Sequence, residues 1–311
     1  MARLGKSDLD VFPICFGGNV LGWTADRDDS FAVLDGYAAA GGNFIDTADS
    51  YTAWVPGHSG GESERVLGEW LKARGNRDEM VIATKVGQWN QRPGLSAANI
   101  KAAAEDSLRR MGVEHIDLYY AHADDPDTPL EETLSAFDDL VRAGKVRHIA
   151  ASNYSAARLS EALRISRREG FAEYVALQPH YNLVERAEFE GELAELCERE
   201  NLAVMPFFAL AKGFLTGKYR PGGDSSESPR AEAAREYLNE RGVKVLAGLD
   251  EIATLRDVPM SSVALAWLST RPAVTAPIAS ARNTEQLADL LPAADFELTE
   301  AELERLASAS A

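Results

Sequence analysis

The sequence predicts a single closed (β/α)8 barrel, and three observations predict it. Strand-like runs and helical patterns alternate from one end of the chain to the other. Eight such runs occur: 12–17, 43–48, 80–86, 116–122, 146–152, 174–180, 202–208 and 273–279. No Pro/Gly/Ser-rich linker divides the 311 residues, so positions 1–311 read as one domain. Most runs are nearly continuous apolar stretches, as parallel strands covered on both faces require. A doubly wound open sheet is the alternative, weakened because no GxGxxG loop follows any run.

The elements follow in order. After FPICFG (12–17), Asp29 and Ser30 are candidate helix caps. Val33, Leu34, Tyr37 and Ala38 share a helical face, and Gly41-Gly42 ends it. NFIDTA (43–48) carries Asp46, with Tyr51 just beyond. MVIATKV (80–86) carries Lys85 near its end, and IDLYYAH (116–122) ends in His122. Asp127 and Thr128 then precede Pro129 at a first-turn position, and Leu130, Leu134, Phe137 and Val141 form a stripe. VRHIAAS (146–152) closes on Ser152, and Ser155 opens the next helix. YVALQPH (174–180) and LAVMPFF (202–208) come next.

From 219 to 241 the chain turns polar and rich in Gly, Pro, Ser and charge. Such an insertion after the seventh strand is expected to be a mobile loop at the active mouth, with AEAAREYLNER partly helical. AVTAPIA (273–279) completes the eight. The tail LTEAELERLASASA is expected to form an extra C-terminal helix outside the barrel.

Composition narrows the function. Apolar residues make up 45% and charged residues 26%, enough for a large core. Asp and Glu number 49 against 32 Lys and Arg, a formal charge of −17. Nucleic acid and anionic membranes both select basic surfaces, so neither is expected as a partner. Cys15 and Cys197 lie far apart with no metal-ligand spacing, as buried thiols of a reducing compartment do. The opening MARLGKSDLD is too polar for a secretory signal, and no apolar run reaches the roughly 18 to 20 residues that cross a bilayer. The expectation is a soluble cytoplasmic protein.

In an α/β barrel, side chains at the carboxyl ends of the strands converge on one mouth. Asp46, Tyr51, Lys85 and His122 all fall there. A buried ammonium without an anion costs several kcal/mol, so Lys85 requires a carboxylate, and Asp46 can supply it. A phenol with a reference pKa of about 10 is a poor acid until a neighbouring lysinium stabilises its phenolate. Tyr51 then serves as general acid to a developing alkoxide, while His122 donates to the same carbonyl oxygen. A structural ion pair beside a satisfied histidine is the competing reading.

These residues and their contexts resemble the aldo-keto reductase family over essentially the whole chain. GNFIDTADSY resembles the family's first signature. VIATKVG and IDLYYAH complete its tetrad, and RAGKVRHIAASNYS, LQPHYNL, FFALAKGFLTGKY and PIASARNTEQL match later landmarks in order. The resemblance implies a reversible NADP(H)-dependent reductase of aldehydes and ketones, with Tyr51 as acid/base and Asp46, Lys85 and His122 as its partners.

It also implies the cofactor contacts. Ser152, Asn153 and Gln178 would hold the carboxamide and Phe207 would stack on the nicotinamide. Gly18, Asn19 and Asp46 belong to the same set. The stretch Phe208, Ala209, Leu210, Lys212 and Gly213, with Lys218, would line the pyrophosphate. Ser280, Arg282 and Gln286 would hold the adenosine phosphate. Arg282, ahead of a helix start near Thr284, favours a 2′-phosphate, hence NADPH over NADH. Phe208-Ala209-Leu210 stands where the family usually has Ser-Pro-Leu. Leu290 replaces a frequent Asn, leaving Asp289 for the adenine contact.

Trp23, Trp54 and Trp89 all follow barrel strands and are the candidate walls of a substrate pocket for a small carbonyl compound. Of the histidines near strands (His115, His148 and His180), His148 reads as structural, and His58 and Gly57 as loop. No metal is expected, since no His/Asp/Glu cluster has ligand spacing. Neither substrate identity nor oligomeric state is legible. Two other functions compete. One is a Schiff-base aldolase using Lys85 as nucleophile, which leaves Phe207, Ser280 and Arg282 without a role. The other is a non-catalytic nucleotide-binding regulatory subunit, against which His122 beside the other three argues.

Overall fold

Eight parallel strands form one sheet, seven of them side by side in chain order with the eighth beside the first, and the sheet curls until its ends meet. The computed structural model describes residues 1–220, 222, 229 and 231–311. The strands are β3 (Cys15–Gly17), β4 (Phe44–Asp46), β5 (Val81–Val86), β6 (Ile116–Ala121), β7 (Val146–Ser152), β8 (Tyr174–Gln178), β9 (Ala203–Val204) and β10 (Ile278–Ala279). Closure is by backbone bonds of 2.9 Å from Val204 N to Ala273 O, Thr275 N to Val204 O and Ile278 N to Pro206 O. The predicted (β/α)8 barrel is therefore observed.

Seven of the eight predicted strands are shorter than their apolar runs, the first, seventh and eighth among them. Only Cys15–Gly17 of 12–17, Ala203–Val204 of 202–208 and Ile278–Ala279 of 273–279 are strand. Pro13, Pro206 and Pro277 lie in these runs, and each lacks the N–H that a ladder needs.

Two residues each of β1 (Ala2–Arg3) and β2 (Asp10–Val11) form an antiparallel hairpin ahead of the barrel. It seals the barrel floor. Leu4, Leu9 and Val11 share a buried cluster with the interior side chains Phe44, Ala83, Leu118 and Tyr120. At the hairpin turn Gly5 has φ +53°, and a Cβ there would lie 2.6 Å from the Val175 carbonyl oxygen, so glycine is required.

Helices wrap the outside. After β3 to β8 come α1 (Arg27–Ala39), α2 (Glu62–Arg74), α3 (Ala97–Met111), α4 (Leu130–Arg142), α5 (Ala156–Glu169) and α6 (Glu192–Arg199). The cap of α1 differs from the sequence reading. Asp26 takes that place, accepting from Asp29 N at 2.9 Å, so Asp29 and Ser30 lie inside the helix. An Asp at either site would satisfy a first-turn amide, and the chain's departure from Ala25 selects the earlier one. Ser155 does cap α5, its side chain accepting from Arg158 N. In α4, Leu130, Leu134 and Phe137 are buried as their spacing predicts.

Between β9 and β10 lie α7 (Ala231–Arg235), α8 (Glu240–Arg256) and α9 (Met260–Ser269). The loop reading for 219–241 falls partly outside the described residues, and its described portion includes α7 and the start of α8. Helix α9 is buried over nine successive residues, Met260 to Leu268, because α8 packs over it. After β10, α10 (Thr284–Ala288) packs on α1. The tail helix α11 (Glu300–Ser310) begins with a Thr299/Glu302 capping box and lies against α8, outside the barrel as expected. Cys15 and Cys197 are free and buried. Among the described residues no helix is long and apolar enough to cross a membrane.

Strand alternation decides which side chains reach the mouth. Along β5, Ala83 faces the interior cluster while Ile82 and Val86 join the outer core between strands and helices. Lys85 follows Ala83 by two and shares its interior face. Asp46 stands in the same relation to Phe44, and His122 to Tyr120. A one-residue register slip would turn all three outward.

Candidate active site

At the carboxyl ends of the strands a cavity of about 990 Å³ opens. Beneath it Lys85 is fully buried, and its Nζ donates three hydrogen bonds: to Asp46 Oδ2 at 2.5 Å, Thr47 O at 2.8 Å and Tyr51 Oη at 2.7 Å. An ammonium has three protons, so all are used. The Tyr51 hydroxyl, accepting from Lys85, donates to Asp46 Oδ2 at 3.0 Å. The other carboxylate oxygen of Asp46 accepts from Gln178 Nε2 at 3.0 Å. Burial lowers the Lys85 pKa below the ordinary lysine range, and the Asp46 carboxylate opposes that shift.

His122 completes the group, its ring centroid 6.2 Å from that of Tyr51. Burial, with the Lys85 charge adding to it, pushes its imidazole well below the ordinary range, so the ring is neutral at pH 7. Its Nδ1 is buried without a partner among the described residues.

The supporting bonds are equally local. Thr47 Oγ1 and Ser63 Oγ lie 2.7 Å apart, and Ser63 Oγ donates to Gly18 O at 2.7 Å, tying the loop after β4 to the turn after β3. Glu64 on α2 accepts from Thr84 Oγ1 at 2.6 Å and pairs with Arg110, clamping β5 from outside. Asn153 adopts φ +54°, a left-handed conformation Asn tolerates, and its Nδ2 donates to His122 O at 2.9 Å and Ser152 Oγ at 3.1 Å. Ser280 Oγ donates to Asn19 Oδ1 at 2.9 Å, tying together the turns that follow the neighbouring strands β10 and β3.

Of the residues singled out in the sequence, Asn19, Trp23, Asp46, Tyr51, Trp54, His122, Ser152, Asn153, Gln178, Phe207, Phe208, Ala209, Leu210, Lys212, Gly213, Lys218, Ser280, Arg282, Gln286 and Asp289 line the cavity. Lys85 reaches it through Tyr51 and Asp46. Gly18 lies behind Asn19, where a Cβ would sit 2.9 Å from Asp46 O. Trp89 stands apart from the lining. Its Nε1 donates to Ser59 O at 2.8 Å, and Arg92 lies 5.5 Å from its ring. Trp23 and Trp54 meet edge to face at 5.6 Å, and Trp54 lies 6.2 Å from the Tyr51 ring.

The lining also includes Val20, Gln88, Thr216, Met260 and Ser261, which sequence reasoning passed over. Met260 and Ser261 open α9, and Pro259 before them was the available signal. Nothing local showed that this helix end faces the mouth.

One end of the cavity is cationic in a strongly acidic protein. Lys212, Lys218 and Arg282 line it, and among the described residues neither Lys218 nor Arg282 has an ion-pair partner. Phe208, Ala211 and Lys212 adopt left-handed φ of +50°, +47° and +59° around this end. Backbone in that region is strained for non-glycine residues. Among the described residues no group of His, Cys, Asp and Glu has the arrangement of a metal site.

Fold and mouth together define an α/β barrel of the enzyme kind, with its functional groups on the carboxyl ends of the strands. The model of the Aldo/keto reductase family matches residues 13–311, and the chain belongs to that family of oxidoreductases. It is 30% identical to norsolorinic acid reductase B of Dothistroma septosporum over 97% of this chain and 79% of that protein. It is 32% identical to an NADP(+) aryl-alcohol dehydrogenase of Phanerodontia chrysosporium, covering 96% of this chain and 82% of that one. A probable voltage-gated potassium channel subunit beta of Oryza sativa subsp. japonica is 30% identical over 94% and 90%.

Proposed function

We propose that the chain is an NADP(H)-dependent reductase of aldehydes and ketones, with Tyr51 as the proton donor. The observation that carries this reading is the Tyr51 hydroxyl, held 2.7 Å from Lys85 Nζ and 3.0 Å from Asp46 Oδ2 at the floor of the cavity. Lys85 donates to the phenolic oxygen, so the phenol's own proton is free to leave Asp46 for a substrate oxygen. The Lys85 charge stabilises the phenolate left behind, and Asp46 holds that charge in place. Neutral His122 has one N–H to offer the same substrate oxygen.

A nicotinamide dinucleotide fits the remaining lining. The cations Lys218 and Arg282, without an ion-pair partner among the described residues, match its phosphates, and the lining also offers the Phe207 ring together with Ser152, Asn153 and Gln178. When bound, it would supply the hydride that reduces the carbonyl carbon. Arg282 next to the amino end of α10 supports a preference for the 2′-phosphate. On the substrate side, the Trp23–Trp54 pair supports an apolar flank to the carbonyl.

Full burial of Lys85, with all three protons engaged, speaks against a Schiff-base role for it, since its amine is neither free nor on the cavity lining. The regulatory-subunit reading draws on the channel-subunit relative, and turnover separates it from an enzyme. Tryptophan-fluorescence titration with NADPH and NADH, followed by an aldehyde and ketone screen, tests the proposal. NADPH binding with carbonyl-dependent oxidation of NADPH is expected. Binding without turnover on any carbonyl favours the regulatory reading, and binding of neither dinucleotide overturns both.

A further inference from the structure

His180 lies two residues past the end of β8 and pairs with Phe207 through an isolated parallel bridge. Phe207 N donates to Pro179 O at 2.9 Å, so the two backbones are locked side by side. Their rings stack at 5.3 Å between centroids with only 19° between planes. Phe208 stands edge-on to both, 5.5 Å from His180 at 74° and 5.3 Å from Phe207 at 61°. Phe208 is held in turn by Asn182, whose Nδ2 donates to Phe208 O at 2.9 Å. Phe207 lines the cavity and His180 lies behind it, away from the lining.

The Nε2 of His180 is buried with no partner among the described residues. A plain apolar side chain would fill this place without stranding a polar atom, so packing alone gives no reason for an imidazole. What the imidazole contributes is a flat, rigid face parallel to Phe207. Burial lowers its pKa below the ordinary range, with Lys212 adding to the shift and Glu185 and Glu188 opposing it. At pH 7 the ring is neutral and puts no charge behind the wall.

We infer that His180 is a positioning residue that fixes the plane of Phe207 as a stacking platform for a flat heteroaromatic ring in the cavity. The inference rests on the dinucleotide reading above, in which that ring is the nicotinamide. The order is then histidine, phenylalanine, nicotinamide, with only Phe207 touching the ligand. Without His180, Phe207 gains torsional freedom about its side-chain bonds, and the bound ring loses the face it lies on.

The test is a double-mutant cycle read by NADPH affinity, with tryptophan quenching as the signal. His180→Ala is expected to raise the dissociation constant by about three- to tenfold, the range an aromatic pair is worth. His180→Phe restores a planar neighbour and is expected to return affinity to within about twofold of wild type. His180→Leu restores volume without a plane and is expected to stay weak. In a Phe207→Leu background, His180→Ala should cost nothing further, because the effect passes through Phe207.

Wild-type affinity in His180→Ala overturns the inference, as does full rescue by leucine or an equal loss in the Phe207→Leu background. If wild type itself binds neither NADPH nor NADH, the dinucleotide reading falls and takes this inference with it. The silent wild type distinguishes that outcome from the others.

Discussion

Lys85 Nζ lies 2.5 Å from Asp46 Oδ2, two buried charges from neighbouring strands held face to face beneath the cavity. A buried pair of this kind is weak ground for stability, because desolvation offsets the attraction, but losing one partner strands the other. Asp46→Asn is therefore expected to destabilise the fold by about 3–5 kcal/mol at pH 7. The deficit should shrink as pH rises and Lys85 loses its proton, since the stranded charge is then gone. Chemical denaturation of both proteins from pH 7 upward measures this. A deficit that grows with pH would contradict it.

Tyr51→Phe removes the phenolic proton and leaves the ring. Turnover is expected to fall by about 10²- to 10⁴-fold, the usual contribution of general acid–base catalysis. NADPH affinity should stay within about twofold, since the hydroxyl's bonds run to Lys85 and Asp46. Steady-state kinetics with a cofactor titration would expose a variant that still turns over normally.

Asp49 supplies a pH signature of its own. It is buried, and neither carboxylate oxygen has a partner among the described residues. Burial and the nearby Glu64 raise its pKa to about 7, from an ordinary 3.8. Between those values the folded chain holds a proton that the unfolded chain has released, so this group's contribution to stability falls as pH rises from about 4 to 7. Above 7 the cost stays constant. Asp49→Asn should therefore raise the melting temperature more at pH 8 than at pH 5, and an equal rise at both would disprove the shift.

Arg282→Ala removes one of the cations at that end of the cavity. Arg–phosphate contacts are charge-assisted, so NADPH affinity is expected to drop by roughly tenfold or more while NADH affinity changes little. Equal losses for the two dinucleotides would mean that Arg282 does not read the 2′-phosphate.

The barrel was legible because its signals are local and repeated. Apolar runs such as MVIATKV and stripes such as Leu130, Leu134 and Phe137 each mark an element without reference to the rest of the chain. Ladder length was not legible, because prolines such as Pro206 and Pro277 end pairing inside runs that remain apolar. The α1 cap was ambiguous for a related reason, as several short polar residues in a row can each satisfy a first-turn amide.

In the site, strand periodicity was enough to bring Asp46, Lys85 and His122 to one mouth, because a period of two puts alternate side chains on one face. Trp89 illustrates the limit. It follows a strand as Trp23 and Trp54 do, yet its indole is bound to Ser59 and flanked by Arg110, contacts between distant segments that no spacing predicts. Met260 faces the cavity because α9 is packed among distant segments, α8 and the turn at Leu291–Ala294 among them. Chain order thus carries the fold class and the identity of the polar groups on the strand ends, since both follow from near-neighbour periodicity. Loop paths, the stacking of His180 on Phe207 and the burial of Asp49 come from contacts between distant segments, which exist only once the barrel has closed.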